Sequence, residues 1–332
     1  MKKTLKYSVF LILIAFISFL FISPNKVVAA STDQYLGQVQ LGGDTIGIQI
    51  KTKVEIVGKY EIVINDEKIK PWENSDIQEG DYIYSVNDVL INSNNYLNNI
   101  ISNTNNSCVN VVLLRNNEMI KTSINIVKNA NNKNTIGLYI KDHITGIGTL
   151  TFVNKNTNKY GALGHSVSDA LSTGKLYESS IKGIKKAIKG VPGEKFATLS
   201  PTEIGTIENN TNIGIFGEYK KELTNEIVNV VKSEHVQKGK AEIVTVIEGN
   251  IIKKYDIEII EVNKQNKEDI KGIKFKVTDK ELIEEAGGII QGMSGSPIIQ
   301  NGNLVGAVSH VVVNDPICGF GVFAEWMYYK TL

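Results

Sequence analysis

Short stretches that favour β-strands, separated by Gly, Asn and Asp, recur along almost the whole chain. Examples are "KYEIVIND", "SCVNVVLLRN", "AEIVTVI" and "LVGAVSHVVV", in which apolar or β-branched residues alternate with polar ones or form short runs. Two stretches favour helix instead, "NNYLNNIISNT" and "TDKELIEEAGG". In the second, Thr278 and Glu281 have the spacing of a capping box and Gly287 supplies a carboxyl-terminal stop. The chain is therefore expected to be a mostly β protein.

A polar segment without apolar periodicity, "KNANNKN", divides the β-rich part of the chain. Residues 35–128 carry five or six strand signals and one helix signal, enough for a small β/α domain. Residues 129–332 hold further short strands with glycine-rich connections, a pattern that predicts one β-barrel or a pair of barrels.

The first thirty residues differ from the rest, because three lysines precede an apolar run and a stretch of small residues, "VVAAS". The apolar run, residues 9–22, is shorter than the about 20 residues that span a bilayer as a helix. Residues 1–30 therefore favour an export signal that is cleaved after Ala30. An uncleaved membrane anchor is the alternative, and in either case the body of the protein leaves the cytoplasm.

Charge and cysteine content narrow the classes of partner. The chain has 36 Lys and Arg against 35 Asp and Glu, a net charge of +1 that provides no field for nucleic acid phosphates. Two cysteines, Cys108 and Cys318, leave stability to the apolar cores, and the sequence does not decide whether they pair. The spacing of His and Cys suits no metal site and no phosphate-binding loop is present, so neither a metal nor another cofactor is expected.

The stretch "QGMSGSPIIQ" places Ser294 between glycines just before an apolar strand. Glycines allow a backbone tight enough to expose the serine hydroxyl, while the N–H groups of Gly292 and Ser294 converge on a point that suits an oxyanion. A plain glycine turn has the same composition. Ser294 is therefore a candidate nucleophile, provided that a base lies near it.

Four histidines are candidates for that base. His143 and His235 lie in polar segments, and strand alternation turns His310 to the face opposite Ser309. His165, in "KYGALGHSVSD", follows a β run and is enclosed by small residues, as expected of a base presented at the end of a strand. His165 is therefore the predicted base.

The segment "NSDIQEGDYIYSVNDVLINS" resembles a PDZ domain in its Gly80, its Asp81 and the alternating strand that follows. The resemblance implies a loop, "TIGI", whose Ile46, Gly47 and Ile48 catch a peptide carboxylate through backbone N–H groups. It also implies that the next strand offers an open edge for β-augmentation. A β-rich spacer with a blunted groove is the alternative.

The stretches "GMSGSPIIQNGNLVGAVSHV" and "CGFGVFAEW" are similar to the nucleophile region of chymotrypsin-like serine peptidases. The resemblance implies a double β-barrel in which Ser294 is the nucleophile and the N–H groups of Gly292 and Ser294 form the oxyanion hole. It also implies that Ser309 helps to hold a catalytic acid. The departures are Met293 and Ser296, where that family has an acid and a glycine.

Together with "YGALGHSVSD" and the PDZ-like segment, these stretches resemble the SpoIVB peptidases, family S55, of sporulating bacteria. The resemblance implies a serine endopeptidase that is exported across the mother-cell membrane into the space between mother cell and forespore. There it would cleave a regulatory subunit of an intramembrane protease complex, and so trigger activation of a late sigma factor. Self-cleavage is a further expected activity.

The acid of the catalytic triad is less constrained by the sequence. Asp279 precedes Ser294 and matches an aspartate of the family, so the resemblance implies that it orients His165. An acid at this place also suits the first turn of a helix through its interaction with the helix dipole. Asp169, close after His165, is the alternative acid.

Two other functions stay open at the level of the sequence. One is a catalytically silent, PDZ-based binding scaffold, and the other is a general export-quality serine protease with the same chemistry. The chain ends in "YYKTL", and the apolar Leu332 predicts that the PDZ-like domain binds this tail or that of a second copy.

Overall fold

The computed structural model describes residues 32–168 and 170–332, and residues 35–332 form one compact unit. Strands dominate it, as the sequence predicts. The strands up to residue 135, which include the pair on either side of the polar segment, are β1 (Tyr35–Leu41), β2 (Thr45–Lys59), β3 (Ile62–Ile64), β4 (Glu67–Ile69), β5 (Tyr82–Val86), β6 (Val89–Leu90), β7 (Cys108–Arg115), β8 (Glu118–Asn125), β9 (Val127–Lys128) and β10 (Asn134–Thr135).

The remaining strands lie in the carboxyl-terminal two thirds of the chain. They are β11 (Leu138–Asn154), β12 (Lys159–Ala162), β13 (Ala170–Lys185), β14 (Glu194–Ile207), β15 (Asn209–Thr211), β16 (Gly214–Glu218), β17 (Ile227–Val231), β18 (Gly239–Val246), β19 (Ile252–Val262), β20 (Ile273–Val277), β21 (Pro297–Gln300), β22 (Asn303–Val311) and β23 (Cys318–Phe323). The helices are α1 (Asn94–Asn103), α2 (Lys280–Ala286) and α3 (Ala324–Tyr329), with 3₁₀ turns at Thr32–Gln34 and Ser233–His235.

Six antiparallel strands close into one barrel, here called the second barrel. The hydrogen-bonded pairs run from β18 through β19, β20, β23, β22 and β21 back to β18. Large side chains from alternate positions fill its interior, among them Ile243, Tyr255, Phe275 and Phe323, each at most 1% exposed. The barrel is therefore a packed core with no sheet edge of its own left to cover.

The first barrel is built from β2, β11, β12, β16, β14 and β13. It closes between β14 and β16 through an isolated bridge that joins Gly205 to Tyr219. Its interior contains Ile46, Ile50 and Leu150, which are fully buried. The mostly β double barrel that the sequence predicts is therefore confirmed.

The two barrels are joined by strands and by a buried cluster between them. β1 pairs with both β11 and β17, and β17 continues in parallel pairing with β22 at Val230 and Leu304. The cluster between the barrels contains Phe152, Phe216 and Met327, all at most 1% exposed. This packing fixes one barrel against the other, as a site shared by both barrels requires.

The small domain expected over residues 35–128 is an insertion into the first barrel. β1 and the amino-terminal half of β2 pair with barrel strands, and the chain returns to the first barrel along β11. Between these strands the inserted domain packs α1 and β3 to β10 on the outer ends of β2 and β11. The expected boundaries at residues 35 and 128–129 are therefore wrong, because β2 bonds to partners that follow the polar segment.

The polar segment "KNANNKN" is a hairpin turn and not a linker between domains. β9 and β10 pair across it, and the Asn129 N–H donates to the Lys133 carbonyl at 2.9 Å. The Asn129 side chain accepts from two more backbone N–H groups of the turn. Asparagine serves this purpose well because its side chain satisfies nearby backbone groups and tolerates positive φ.

The predicted peptide loop at Ile46, Gly47 and Ile48 is wrong, because these residues lie in the middle of β2. Ile46 and Ile48 are 0% and 4% exposed and belong to the core of the first barrel. Gly47 pairs with Ile147 on one side and with Tyr177 on the other. Their backbone groups are therefore used inside the sheet.

The chain ends differ in how far the structure describes them. The predicted export segment, residues 1–30, lies outside the described residues. Among residues 32–168 and 170–332, no helix has the length and apolar character needed to cross a bilayer. In the same residues Cys108 and Cys318 are free thiols.

The carboxyl-terminal tail is fixed on the first barrel. Thr331 is fully buried, its carbonyl accepts from the Thr157 hydroxyl at 2.7 Å, and its own hydroxyl donates to the Tyr328 carbonyl at 2.7 Å. Leu332 beyond it is 63% exposed. These contacts argue against the predicted capture of the tail by the small domain, since Thr331 would have to leave its site first.

Candidate active site

A cleft of about 730 Å³ opens between the two barrels. It is lined mainly by apolar side chains, and its polar lining consists of neutral or histidine side chains and backbone groups. Its lining includes His165 and Ser166 from the first barrel and Gly292, Ser294, Ser309 and His310 from the second. The cleft thus brings together Ser294 and His165, the two residues that the sequence pairs as nucleophile and base.

The turn that carries Ser294 is held by threonines of the first barrel. Thr149 donates its hydroxyl to the Gly292 carbonyl at 2.8 Å and its N–H to the Ser294 carbonyl at 2.9 Å. Thr151 donates its hydroxyl to the Gly295 carbonyl at 2.7 Å. Both threonines are fully buried on β11. Because three carbonyls of the turn accept hydrogen bonds from β11, the turn cannot rotate without breaking buried hydrogen bonds.

The N–H groups of Gly292 and Ser294 have no acceptor among the described residues, whereas those of Gln291, Met293, Gly295 and Ser296 all bond to backbone carbonyls. Gly292 has φ +92, in the region that favours glycine. Two unpaired N–H groups beside a serine hydroxyl have the arrangement of an oxyanion hole.

Gly295 permits the close contact between the barrels at this turn. It has φ +91, and a Cβ there would lie 2.2 Å from the Thr149 carbonyl oxygen and 2.4 Å from the Leu163 nitrogen. Any side chain would therefore push the turn away from β11 and from the segment that leads to His165.

His165 follows a strained turn at the end of β12. Leu163 and Gly164 have φ +71 and +66, and positive φ at a leucine costs on the order of 1–3 kcal/mol. A Cβ at Gly164 would lie 2.8 Å from the Val308 carbonyl oxygen, so the turn lies directly against β22. The strain therefore accompanies a sharp bend that delivers His165 to the second barrel.

The His165 ring is partly exposed in the cleft. Its Nδ1 lies 2.7 Å from the Ser166 carbonyl oxygen. Because a carbonyl oxygen can only accept a hydrogen bond, this contact places a proton on Nδ1. With the proton on Nδ1, Nε2 keeps its lone pair and is the ring atom suited to accept a proton from a serine. The Ser294 hydroxyl and the ring are not hydrogen-bonded to each other, and such bonds often tighten only when substrate binds.

Asp279 does not contact His165. It is the N-cap of α2, where its carboxylate accepts from the Leu282 N–H at 2.9 Å and from the Asp256 N–H at 3.4 Å. Asp279 therefore caps α2, in place of Thr278, whose spacing from Glu281 predicted the cap. The alternative acid, Asp169, lies outside the described residues.

The two residues after Val308 depart from simple strand alternation. The pairing of β22 with β23 shifts register between Val308 and His310, so a β-bulge lies at Ser309. Ser309 is buried and donates to the Ile270 carbonyl at 2.6 Å, and among residues 32–168 and 170–332 no carboxylate is bonded to it. Bulges re-aim side chains beside active sites, and here His310 faces the cleft with its ring 5.4 Å from that of His165.

Lys195 is a buried cation that the sequence analysis did not identify. It is 4% exposed, its ammonium donates to the Thr245 hydroxyl at 2.9 Å, and burial lowers its pKa to about 7. Its N–H donates to the Gln291 carbonyl at 3.0 Å, and its stem packs against Gly292, where a Cβ would lie 3.1 Å from Lys195 Cδ. Lys195 thus supports the Ser294 turn from behind.

The depressed pKa of Lys195 predicts a pH-dependent stability. Between about pH 7 and 10.5 the unfolded chain holds a proton that the folded chain has lost, so the free energy of unfolding rises with pH in this window. From pH 7 to 9 we expect the wild type to gain about 2 kcal/mol more than Lys195→Met, which lacks the amine. Urea unfolding of both proteins at the two pH values measures this difference, and equal gains would contradict it.

Comparison with known protein families gives a match that spans this site. The profile of the SpoIVB peptidase S55 family matches residues 132–328, which include β11, His165 and Ser294. No curated protein sequence matches the chain. Solved structures with a similar arrangement include the Rv3671c protease from M. tuberculosis in its active form, at 16% identity and a TM-score of 0.36, covering 56% of this chain and 73% of that one.

The inactive form of the same M. tuberculosis protease has 16% identity and a TM-score of 0.34, and the match covers 55% of this chain and 82% of that one. The family match extends over more than half of the present chain. It includes the segments that bring the nucleophile turn and the histidine together. The chain therefore belongs to the SpoIVB peptidase S55 family and is a serine endopeptidase.

Proposed function

We propose that Ser294 is the nucleophile of this endopeptidase and His165 its general base. The Ser294 oxygen bonds to the scissile carbonyl carbon as its proton passes to His165 Nε2. The carbonyl oxygen becomes an oxyanion that accepts from the N–H groups of Gly292 and Ser294. His165 then gives the proton to the leaving amine, and water repeats the sequence to release the acyl group.

The single observation that carries this assignment is the pair of unpaired N–H groups at Gly292 and Ser294. Most backbone N–H groups of a folded chain have a partner, as those of Gln291, Met293, Gly295 and Ser296 do, so the N–H groups of Gly292 and Ser294 stay available to an acceptor in the cleft. Their position beside Ser294, in a cleft shared with His165, supports an oxyanion as that ligand.

A fluorophosphonate probe tests the assignment directly. It should label the purified protein once, and mass spectrometry should map the adduct to the peptide that contains Ser294. Ser166→Ala is a matched control because Ser166 also lines the cleft, and it should keep the labelling. Labelling that survives Ser294→Ala, or that maps to Ser166, would refute the assignment.

The support of the turn by Thr149 leads to a further prediction. Thr149→Val keeps the shape of the side chain but leaves the buried Gly292 carbonyl without its donor. We expect the free energy of unfolding to fall by about 1–3 kcal/mol and kcat to fall as well, because the oxyanion turn loses its fixed position. Urea unfolding and peptide hydrolysis measure the two effects. Thr173→Val, at an exposed position of the first barrel, should change neither.

The biological role that we propose is sporulation signalling after export. In this role the substrate is a regulatory subunit of an intramembrane protease complex, in the space between mother cell and forespore, and its cleavage activates a late sigma factor. Membership of the SpoIVB family supports this role. A signalling peptidase should cleave few sites, so the purified enzyme should leave reduced, unfolded casein largely intact. Rapid cleavage of casein at many sites would favour a general export-quality protease.

We propose that the inserted domain is a PDZ-type peptide-binding domain, with its loop at residues 135–138. The sequence there, "TIGL", repeats the pattern of "TIGI" at residues 45–48. It leads into β11, whose edge is flanked by α1: the Asn94 N–H donates to the Asp142 carboxylate at 2.7 Å, and the Asn134 amide donates to the Ile101 carbonyl at 3.2 Å. An open strand edge beside a helix is the geometry that accepts an added peptide strand.

A further inference from the structure

One strand edge runs from the inserted domain to the cleft. β11 pairs with β2 from Leu138 to Thr149 on one side, and over residues 138–147 no described strand pairs with its other side. The amino-terminal part of this edge lies beside α1. Further along the same strand, Ile144, Gly146 and Ile147 line the cleft that holds Ser294. The peptide groove and the cleft are therefore two parts of one edge.

Several side chains along this strand are exposed. Tyr139 is 57% exposed, Lys141 and His143 are exposed, and a Cβ at Gly146 would meet no atom within 4 Å. The charges at residues 141–143 are of the kind that discourages a sheet edge from pairing at random. A polypeptide that pairs here is expected to gain its selectivity from the two ends of the edge.

We propose that the substrate polypeptide adds to β11 as one antiparallel strand, with its carboxyl terminus at residues 135–138 and its scissile bond beside Ser294. The inference rests on the proposed catalytic role of Ser294 and deepens it. A chain whose carboxylate meets the loop at the start of β11 must run opposite to that strand. Its upstream residues then lead along the edge into the cleft, so the anchored part lies on the carboxyl side of the bond that is cut.

The length of the edge sets the place of cleavage. Leu138 at the loop and Ile147 in the cleft are both on β11, and a strand rises about 3.3 Å per residue, so the added strand spans about 30 Å. Irregularities in the pairing with β2 near Tyr139 and Lys141 change this length by about one residue. The cut should therefore fall about nine to eleven residues before the carboxyl terminus of the substrate.

A randomised peptide library tests this fixed cleavage distance without knowledge of the natural substrate. Peptides of about 20 residues are incubated with the full exported chain, and mass spectrometry maps each cut relative to the carboxyl end. With a free carboxylate, the cuts should cluster nine to eleven residues from that end. The same library with carboxyl-terminal amides should lose this cluster and be cut about tenfold more slowly or worse, because a charge-assisted hydrogen bond is removed.

The outcomes separate this inference from the proposed catalytic role. Cuts that are independent of distance from the carboxyl end, with equal rates for acids and amides, would overturn the proposed binding of substrate along β11. Loss of activity in Ser294→Ala would in that case still support Ser294 as the nucleophile. Cutting that persists in Ser294→Ala would overturn the nucleophile instead. As a second measurement, fluorescently labelled library peptides should bind to Ser294→Ala more tightly as acids than as amides.

Discussion

Ser294→Ala should lower kcat by on the order of 10⁵- to 10⁶-fold, the loss expected when the nucleophile of a serine peptidase is removed. The variant should fold normally, because the Ser294 turn is held by the carbonyls of Gly292, Ser294 and Gly295, which the substitution does not change. Hydrolysis of library peptides at saturating concentration, together with the thermal unfolding midpoint, measures both expectations.

The matched control for this variant is Ser166→Ala. Ser166 lies in the same cleft, and the atom that contacts His165 is its backbone carbonyl oxygen, which alanine keeps. We expect wild-type kcat within a small factor. If Ser294→Ala kept a kcat close to that of the wild type, with an unchanged unfolding midpoint, Ser294 would not be the nucleophile.

His165→Ala should cause a loss of similar size, since a serine hydroxyl is a weak nucleophile without its base. Combining it with Ser294→Ala should add little further loss, because residues that act as one unit are not additive. His310→Ala is the matched control: its ring lies 5.4 Å from that of His165. Burial, and then the nearby charges of His165 and Lys271, lower the pKa of His310.

The control should lose less than about tenfold in kcat, because the proposed mechanism passes the proton through His165 and gives His310 no step. If His310→Ala lost as much kcat as His165→Ala, the assignment of His165 as the general base would be contradicted. Asp279→Asn offers a second comparison, because asparagine also caps helices. It should leave kcat within a small factor, and a loss of 10⁴-fold would restore Asp279 as the acid that orients His165.

The sequence was sufficient for the double barrel and for the nucleophile turn. Gly292 and Gly295 both have positive φ, and Thr149 lies too close to Gly295 for a side chain. The short pattern "GMSGSP" was enough to predict a tight turn at these residues. The stop of α2 is also local: Gly287 has φ +76 and ends the helix as predicted. Features of this kind follow from a few neighbouring residues, so a single sequence reveals them.

The sequence was not sufficient where two similar stretches compete for one role. "TIGI" and "TIGL" have the same pattern, and what distinguishes them is whether a partner strand lies on both sides. Gly47 has Ile147 and Tyr177 on its two sides, whereas Leu138 pairs with Lys59 on one side. These pairings join residues about 80 to 130 positions apart, and no local propensity encodes them.

His310 and Asp279 illustrate two further causes. Strand alternation places His310 on the face opposite Ser309 but gives no sign that His310 lines the cleft. A bulge lies at Ser309 beside it, and no residue type marks a bulge reliably. At Asp279 the family resemblance and the helix signal pointed to different roles for one carboxylate. Its contacts with the Leu282 and Asp256 N–H groups favour the helix signal.

The position of the inserted domain has an evolutionary consequence. Lys51 and His143, on the strands that leave and rejoin the first barrel, lie opposite each other in an antiparallel ladder, where partner Cα atoms are about 5 Å apart. A two-residue β-turn bridges such a gap, so excising the whole insertion leaves an ordinary hairpin. Recombination at these two residues would accordingly keep the pairing of β2 with β11 from Lys51 and His143 to Thr45 and Thr149, so other domains can be grafted at the same place.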